Sequence, residues 1–268
     1  MFWNIAGLSN KDEEFWRGLK EWEVIILMET WVEKKDWKKV KNRLPPGFVW
    51  GAQWAIRTNK KGRAAGGMLM GVRKEIKVTG TEIETGKEGF IVGAVQKNGL
   101  IWKIVGVYVG EGIEKTLEGL EEWTGKGEEG GITIIGGDFN ARTGREGSRV
   151  EGGEEREKEE SIRNSKDSVI NKEGKRLVEF LEDKGMSILN GDTKGDEEGE
   201  YTFTGGRGNT VIDYVIGGED LRGKVESLRI GDKIDSDHHP LEIQVKGEQL
   251  NRKEGGWSKR NRGVWNEE

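Results

Sequence analysis

The chain has 268 residues, with 44 Lys and Arg against 49 Asp and Glu, and its formal net charge of −5 excludes a globally basic nucleic-acid-binding domain. The absence of cysteine excludes disulfides and cysteine catalysis and suits a reducing compartment. The longest apolar run, Val24–Met28, is far shorter than the roughly 20 residues that span a bilayer, so we expect no membrane partner.

In chain order, the pattern predicts strands separated by helices. Short runs rich in Val and Ile indicate buried strands, and a periodic apolar face between a capping residue and a terminal Gly indicates a helix. The predicted elements are a short strand ending at Asn4, strands Val24–Met28, Met68–Val72 and Ile101–Tyr108, a helix Glu111–Trp123, a strand Ile132–Ile135, a helix from the Asn171 cap to Gly185, and strands Ser187–Leu189, Val211–Ile216 and Leu241–Val245.

We interpret residues 1–246 as one domain. Within it, residues 142–168 include a stretch rich in Glu and Gly with almost no apolar side chains, which is typical of a surface loop. Residues 247–268 are polar and contain Gly, which favours a C-terminal linker.

Positive charge is concentrated near the N-terminus. Thirteen basic residues and only two acidic ones lie between Lys34 and Lys77. This composition allows two interpretations: a solvated, lysine-rich face, or a surface that binds a phosphate backbone. On the second interpretation we expect DNA contacts from Lys38, Lys39, Lys60 and Lys61.

Polar residues follow most of the predicted strands. Glu29 follows one strand, Asp138 and Asn140 follow another, and Asp213 and Asp237 lie in or beside two more. A single Asp after a strand is usually turn chemistry, but a set of them at strand ends is typical of a ligand site in an α/β protein. Oxygen ligands with only two His and no Cys indicate Mg²⁺ or Mn²⁺ and argue against zinc.

Other chemistries lack their signatures in this chain. The pairs Gly66-Gly67 and Gly205-Gly206 complete neither glycine-rich nucleotide fingerprint, and no Gly-Lys-Ser/Thr is present. A Gly-x-Ser-x-Gly nucleophile elbow is also absent.

The motifs, in their order along the chain, resemble those of the endonuclease/exonuclease/phosphatase superfamily. The matching segments are Trp3-Asn4-Ile5, Glu29-Thr30-Trp31, Gly137-Asp138-Phe139-Asn140-Ala141, Ile212-Asp213-Tyr214 and Ser236-Asp237-His238. Further detail, including the segment from Asn171 to Leu177 and Tyr201-Thr-Phe-Thr, is similar to the apurinic-type endonuclease domain of animal non-LTR retrotransposons. Ala6 departs from the apurinic endonucleases, which often carry an acidic residue there.

The resemblance implies an α/β fold of two packed mixed β-sheets flanked by helices, a four-layer sandwich like that of deoxyribonuclease. It also implies roles for site residues. Metal binding falls to Asn4, Glu29 and Asp237; catalysis to Asp138, Asn140, His238, Asp213 and Tyr108; and phosphate contacts to Thr202 and Thr210.

The activity implied by the resemblance is Mg²⁺-dependent nicking of duplex DNA, with Mn²⁺ as a substitute metal, to leave a 3′ hydroxyl that primes reverse transcription. It also implies fusion to a reverse transcriptase in a parent polyprotein and a nuclear location, although the sequence contains no readable targeting signal. Two alternatives stay open: a phosphoesterase of the same fold acting on phosphoinositides or other small phosphoesters, and a non-catalytic nucleic-acid-binding remnant of a mobile element.

Overall fold

The computed structural model describes residues 1–58, 61–78, 83, 89–125, 130–148, 162–206 and 208–247. The strands are Phe2–Asn4 (β1), Val24–Met28 (β2), Phe48–Gln53 (β3), Met68–Arg73 (β4), Lys77–Val78 (β5), Phe90–Lys97 (β6), Leu100–Tyr108 (β7), Ile132–Asp138 (β8), Ser187–Ile188 (β9), Phe203–Gly205 (β10), Gly208–Thr210 (β11), Asp213–Gly217 (β12), Val225–Ile230 (β13) and Leu241–Val245 (β14). The α-helices are Glu13–Gly18 (α1), Trp37–Lys41 (α2), Glu114–Gly125 (α3), Lys172–Asp183 (α4) and Glu219–Arg222 (α5).

Twelve of the described strands form two six-stranded sheets. The first has the order β13-β14-β1-β2-β4-β3, and the second has the order β5-β6-β7-β8-β12-β9. Each sheet is mixed, because β1 and β2 are parallel in the first and β7 and β8 are parallel in the second, while their other pairs are antiparallel. A short hairpin of β10 and β11 stands apart from both sheets.

Three apolar layers hold these elements together. One lies between the sheets and includes Ile26, Met70 and Ile104. A second lies between the second sheet and helices α3 and α4, and a third covers the outer face of the first sheet beneath α1. Apolar layers on both faces of each sheet make a four-layer sandwich, which confirms the predicted fold class.

Several glycines in the strands permit the two sheets to approach. A Cβ atom at Gly93 would lie 2.4 Å from Cε of Met70 on the facing sheet. A Cβ at Gly106 would lie 2.4 Å from Cγ2 of Ile26. Part of the high glycine content is therefore required by packing, because side chains from one sheet occupy the space above glycines of the other.

The helix predicted after Asn171 is α4. The Asn171 side chain accepts a hydrogen bond from the Gly174 amide at 2.8 Å, and Gly185 ends the helix region with a φ of +62°. The helix predicted as Glu111–Trp123 begins three residues later, at Glu114. The sequence pattern did not predict strands β3, β5, β6, β10, β11 and β13 or helices α1, α2 and α5.

The flanks of the predicted surface loop, residues 142–168, are not confined to the surface. Thr143, Arg163 and Asp167 are buried. Arg163 donates to Glu146 O at 2.7 Å, to Asn190 O at 3.3 Å and to the Thr143 hydroxyl. The expectation of surface exposure is therefore wrong for these three residues, because the Arg163 guanidinium is buried and joins the two flanks to each other and to Asn190, just after β9. Residues 149–161 lie outside the described residues.

The predicted linker, residues 247–268, lies outside the described residues apart from Gly247. The domain boundary at residue 246 stays a prediction. Among the described residues, no helix has the length and apolar character needed to cross a membrane.

Candidate active site

Two buried carboxylates face each other at one end of the second sheet. Asp138 is the last residue of β8 and Asp213 the first of β12, and the antiparallel register pairs them directly. Each is 1% exposed. Placing two buried carboxylates side by side is unfavourable unless cations or hydrogen-bond donors compensate them.

His238 supplies part of that compensation. Its Nδ1 atom lies 3.1 and 3.0 Å from the two carboxylate oxygens of Asp213. Its Nε2 atom lies 3.8 Å from Oδ2 of Asp138. The ring thus lies between the two carboxylates, with Asp213 fixing its orientation and Nε2 turned toward Asp138.

Asn4 completes the set from the end of β1. Its Nδ2 atom donates to Oδ2 of Asp138 at 2.8 Å and lies 3.4 Å from Nε2 of His238. Its Oδ1 atom accepts from the Ala6 amide at 3.1 Å. Because β1 and β8 belong to different sheets, this contact joins the two sheets at the site.

The charges of these groups shift one another's proton affinities. Burial, followed by the charge of Asp213, raises the pKa of Asp138 well above its usual range. Burial alone lowers the pKa of His238, but Asp213, followed by Asp138 and Asp237, raises it to about 9. The ring is therefore an imidazolium at neutral pH, able to donate through both nitrogens.

Glu29 and Tyr108 form the other side of the site. Tyr108 ends β7 beside Asp138 in the sheet register, and its hydroxyl donates to Oε1 of Glu29. Burial, followed by this hydrogen bond, raises the pKa of Tyr108. The Tyr108 phenol therefore stays protonated. Glu29 directly follows β2 and adopts a φ of +50°.

Asn140 shapes the turn after β8. Its amide donates to Oδ1 of Asp138 at 3.0 Å, and its side chain donates to Val109 O at 2.7 Å. It adopts a φ of +48°, which Asn tolerates better than most residues. The exposed Asn140 therefore lies beside Asp138 and helps to orient it.

Thr202 is buried behind the site. Its hydroxyl oxygen accepts from the amides of Ile212 and Asp213, both at 3.0 Å. These bonds fix the start of β12 and thus the position of Asp213. Thr210 pairs with Phe203 in the β10–β11 hairpin, and its carbonyl accepts from the Thr202 amide at 3.1 Å.

The β10–β11 hairpin is attached to the segment that carries His238. The Thr204 amide donates to Asp237 O at 2.8 Å, and the ring of His239 joins Gly231 O to the Thr204 hydroxyl. The Phe203 ring meets the His238 ring edge to face, with centroids 5.0 Å apart. The two adjacent histidines thus have different surroundings.

The remaining predicted residues lie farther out. Asp237 is exposed, and its charge contributes to raising the pKa of His238. Lys38 and Lys39 are exposed on α2, and Lys61 is exposed in the connection between β3 and β4. Lys60 lies outside the described residues.

Two contributors were missed by sequence reasoning. The Ser236 hydroxyl donates to Asn4 O at 2.8 Å and accepts from the His238 amide at 3.1 Å, so it joins β1 to the histidine segment. Its place directly before Asp237 and His238 was the available signal, because Ser commonly makes such local turns. Phe203 lies in the quoted Tyr201-Thr-Phe-Thr segment, but its contact with His238 depends on how the hairpin is attached and could not be predicted.

The donor atoms fit a hard divalent cation. Candidate ligand atoms of Asp138, Asp213 and His238 lie within 4.8 Å of one another, but the protonated His238 ring has no free lone pair for a metal ion. Nδ1 of His238 already faces Asp213, whereas Glu29 and Asn4 bring carboxylate and amide oxygens. Oxygen donors of this kind suit Mg²⁺ or Mn²⁺.

A two-sheet sandwich with carboxylates, an imidazole and an asparagine at one end defines a protein of the endonuclease/exonuclease/phosphatase superfamily. A family model described as endonuclease-reverse transcriptase matches residues 102–242, and the chain belongs to this family. No curated protein sequence matches the chain.

Solved structures share the fold at low sequence identity. The endonuclease domain of TRAS1, a telomere-specific non-LTR retrotransposon, is 17% identical with a TM-score of 0.61, covering 91% of this chain and 96% of that one. A 3′ phosphatase, NExo from Neisseria bound to product DNA hairpin, is 15% identical with a TM-score of 0.61 and coverages of 92% and 98%. A family protein from Leptotrichia buccalis is 12% identical with a TM-score of 0.56 and coverages of 92% and 98%.

Proposed function

We propose that this protein is a Mg²⁺-dependent endonuclease that hydrolyses phosphodiester bonds in duplex DNA. In this proposal it nicks one strand and leaves a 3′ hydroxyl that primes reverse transcription by a fused reverse transcriptase. Chromosomal DNA as the target would place the activity in the nucleus. The observation that carries the proposal is the buried contact series from Asp213 through His238 to Asn4 and Asp138.

Asp138 is suited to accept the proton of the attacking water. Burial and the neighbouring Asp213 raise its pKa from the usual carboxyl range, which makes it a stronger base than an exposed carboxylate. The Asn4 side chain and the Asn140 amide each donate to one of its oxygens and fix its orientation. Each oxygen keeps a second lone pair for the water.

His238 is suited to stabilise charge on the phosphate. Asp213 holds Nδ1, so Nε2 is the nitrogen that can donate to a phosphate oxygen as negative charge develops there. Tyr108 is kept protonated by burial and by Glu29, and its hydroxyl proton, donated to Glu29 in the free protein, can turn to a phosphate oxygen when substrate binds. These groups are preorganised, because each is held by a hydrogen-bonded carboxylate before substrate arrives.

Metal binding is assigned to Asn4 and Glu29, with Asp237 on the outer side. When bound, Mg²⁺ supplies positive charge that offsets the charge of the phosphate and of the leaving 3′ oxygen. Asn4 contacts the water-activating Asp138 through Nδ2, and Glu29 contacts Tyr108, which neighbours Asp138 in the sheet register.

Incubation with supercoiled plasmid tests the activity. We expect conversion to open circles with Mg²⁺ or Mn²⁺ and no conversion in EDTA. Asp138→Asn is the matched inactive control. Equal nicking in chelator would contradict the metal requirement.

The chemical group at the 3′ end of the nick tests whether the product can prime reverse transcription. A polymerase should extend the nicked strand without prior phosphatase treatment, because the 3′ hydroxyl is free. A nick that is not extended would contradict a priming role. Phosphate release from inositol lipids without plasmid nicking would favour the small-phosphoester alternative, and binding without either reaction would favour the non-catalytic remnant.

A further inference from the structure

The guanidinium of Arg63 lies over the ring of Trp31. Trp31 follows the site residue Glu29 by two positions in the sequence. The guanidinium carbon of Arg63 is 3.9 Å from the ring centroid. The ring itself is fixed, because Gly7 packs so closely that a Cβ there would lie 2.3 Å from two ring atoms, and the Trp31 amide donates to Gly66 O at 3.0 Å. Stacking of this kind holds a guanidinium by its face and leaves its edge N–H groups available.

Arg63 differs in its charge environment from Arg57, which lies in the same connection between β3 and β4. Arg57 pairs with Glu33 through Nε at 3.1 and 3.2 Å and through Nη2 at 2.8 Å. Among the described residues, no carboxylate or hydrogen-bond acceptor contacts Arg63. Its charge is therefore available to a ligand, whereas that of Arg57 is already paired.

The loop that carries Arg63 borders the active site. A Cβ at Gly66 would lie 3.7 Å from the ring of Tyr108, and Gly67 O accepts from the Thr30 amide at 3.1 Å. Burial and Glu29 raise the pKa of Tyr108, and the charge of Arg63 opposes that rise. Arg63 is therefore an exposed cation at the rim of the site, on the side of Glu29 and Tyr108.

We propose that Arg63 binds a backbone phosphate of the DNA next to the scissile one and that Trp31 holds it ready to do so. This inference rests on the proposed function. A planar guanidinium can give two parallel N–H bonds to phosphate oxygens. Because the ring already restricts its rotamers, less conformational entropy is lost when the phosphate binds.

Arg63→Ala tests the inference, with Arg57→Ala as the matched control and Arg63→Lys as a variant that keeps the charge but lacks the planar fork. Nicking kinetics give KM and kcat, and duplex binding at several salt concentrations in an Asp138→Asn background gives the salt dependence. We expect Arg63→Ala to raise KM about tenfold or more with little change in kcat. The log–log salt slope should become shallower by about 0.9.

Arg57→Ala should leave KM and the slope unchanged, and Arg63→Lys should keep the slope and raise KM to a smaller extent. An unchanged KM and slope for Arg63→Ala, or the same changes in Arg57→Ala, would overturn the inference. If the unsubstituted protein nicks DNA while Arg63→Ala is unaffected, only the role of Arg63 fails. If the unsubstituted protein neither binds nor nicks duplex DNA, the proposed function fails.

Discussion

His238 and Asp213 contact each other through one ring nitrogen and both carboxylate oxygens, at 3.1 and 3.0 Å. Asp213 is the first residue of β12, whereas His238 lies in the loop before β14 on the other sheet. The pair therefore fixes an imidazole from one sheet with a carboxylate from the other.

His238→Ala should reduce nicking by about 100-fold or more, because it removes the donor that faces the phosphate. Asp213→Ala should cause a loss of similar size, since the ring loses both its orientation and the charge that keeps it protonated. Plasmid nicking rates measure both effects, and circular dichroism verifies the fold. Full activity of Asp213→Ala would show that the ring does not depend on this carboxylate.

Asp138→Asn should abolish nicking and retain duplex binding, because size is kept while the base is removed. The variant amide also meets two donors, the Asn4 side chain and the Asn140 backbone, so it can accept from only one of them through its single oxygen. Anisotropy with a labelled duplex measures binding and plasmid assays measure nicking. Retained nicking would remove Asp138 from the role of base.

His239→Ala should lower nicking tenfold or less, equivalent to about 1.4 kcal/mol of barrier. The ring joins Gly231 O to the Thr204 hydroxyl and does not face the carboxylates, so its removal loosens the hairpin and leaves His238 in place. Plasmid nicking rates of His238→Ala and His239→Ala, measured under the same conditions, show which of the two histidines the reaction requires. An inactive His239→Ala beside an active His238→Ala would reverse the roles assigned to the two histidines.

Substitution of Lys38, Lys39 and Lys61 by Glu should weaken duplex binding and make it less sensitive to salt. The slope of log binding constant against log salt concentration should become shallower by about 0.9 for each DNA phosphate that a lysine no longer neutralises. All three are exposed. The charge-matched control reverses Lys172, Lys175 and Arg176, which lie exposed on α4. Equal slopes in the two triple variants would show that the lysines near the N-terminus only solubilise the protein.

Arg163→Met should lower the free energy of unfolding by about 3 kcal/mol or more, because several buried acceptors lose their donor together. The buried acceptors are the Thr143 hydroxyl, Gly144 O and Asn190 O. Urea unfolding measures the change, and Arg176→Met on the exposed face of α4 should stay within about 0.5 kcal/mol of the unsubstituted protein. A change that small for Arg163→Met would mean that the buried guanidinium contributes little to stability.

The sequence predicted the central strands and missed others for identifiable reasons. Strands β2, β7 and β8 lie between two apolar layers, so their Val and Ile runs are nearly continuous. In β6, Gly93 interrupts the run because Met70 occupies the space where its side chain would be. In β13, a shift in register between Val225 and Ser227 disrupts the alternation that marks a strand with one buried face.

The residue types at the candidate site were predictable, but their contacts were not. Motif order placed Asp138 and Asp213 in one site, yet only the strand register makes them direct neighbours. The contact of His239 with Thr204 depends on a hairpin whose strands contain one apolar residue, Phe203, and therefore carry little hydrophobic pattern. Burial of Arg163 was hidden by the many charges around it in the sequence.

Strand β1, which carries Asn4, lies between β2 and β14, and Phe2 pairs with Leu241. During synthesis, one edge of β1 therefore has no partner until nearly the whole described chain has been made. His238, three residues before β14, also arrives at that point. The site is therefore not assembled in the nascent protein. Catalysis can begin only after β14 pairs with β1.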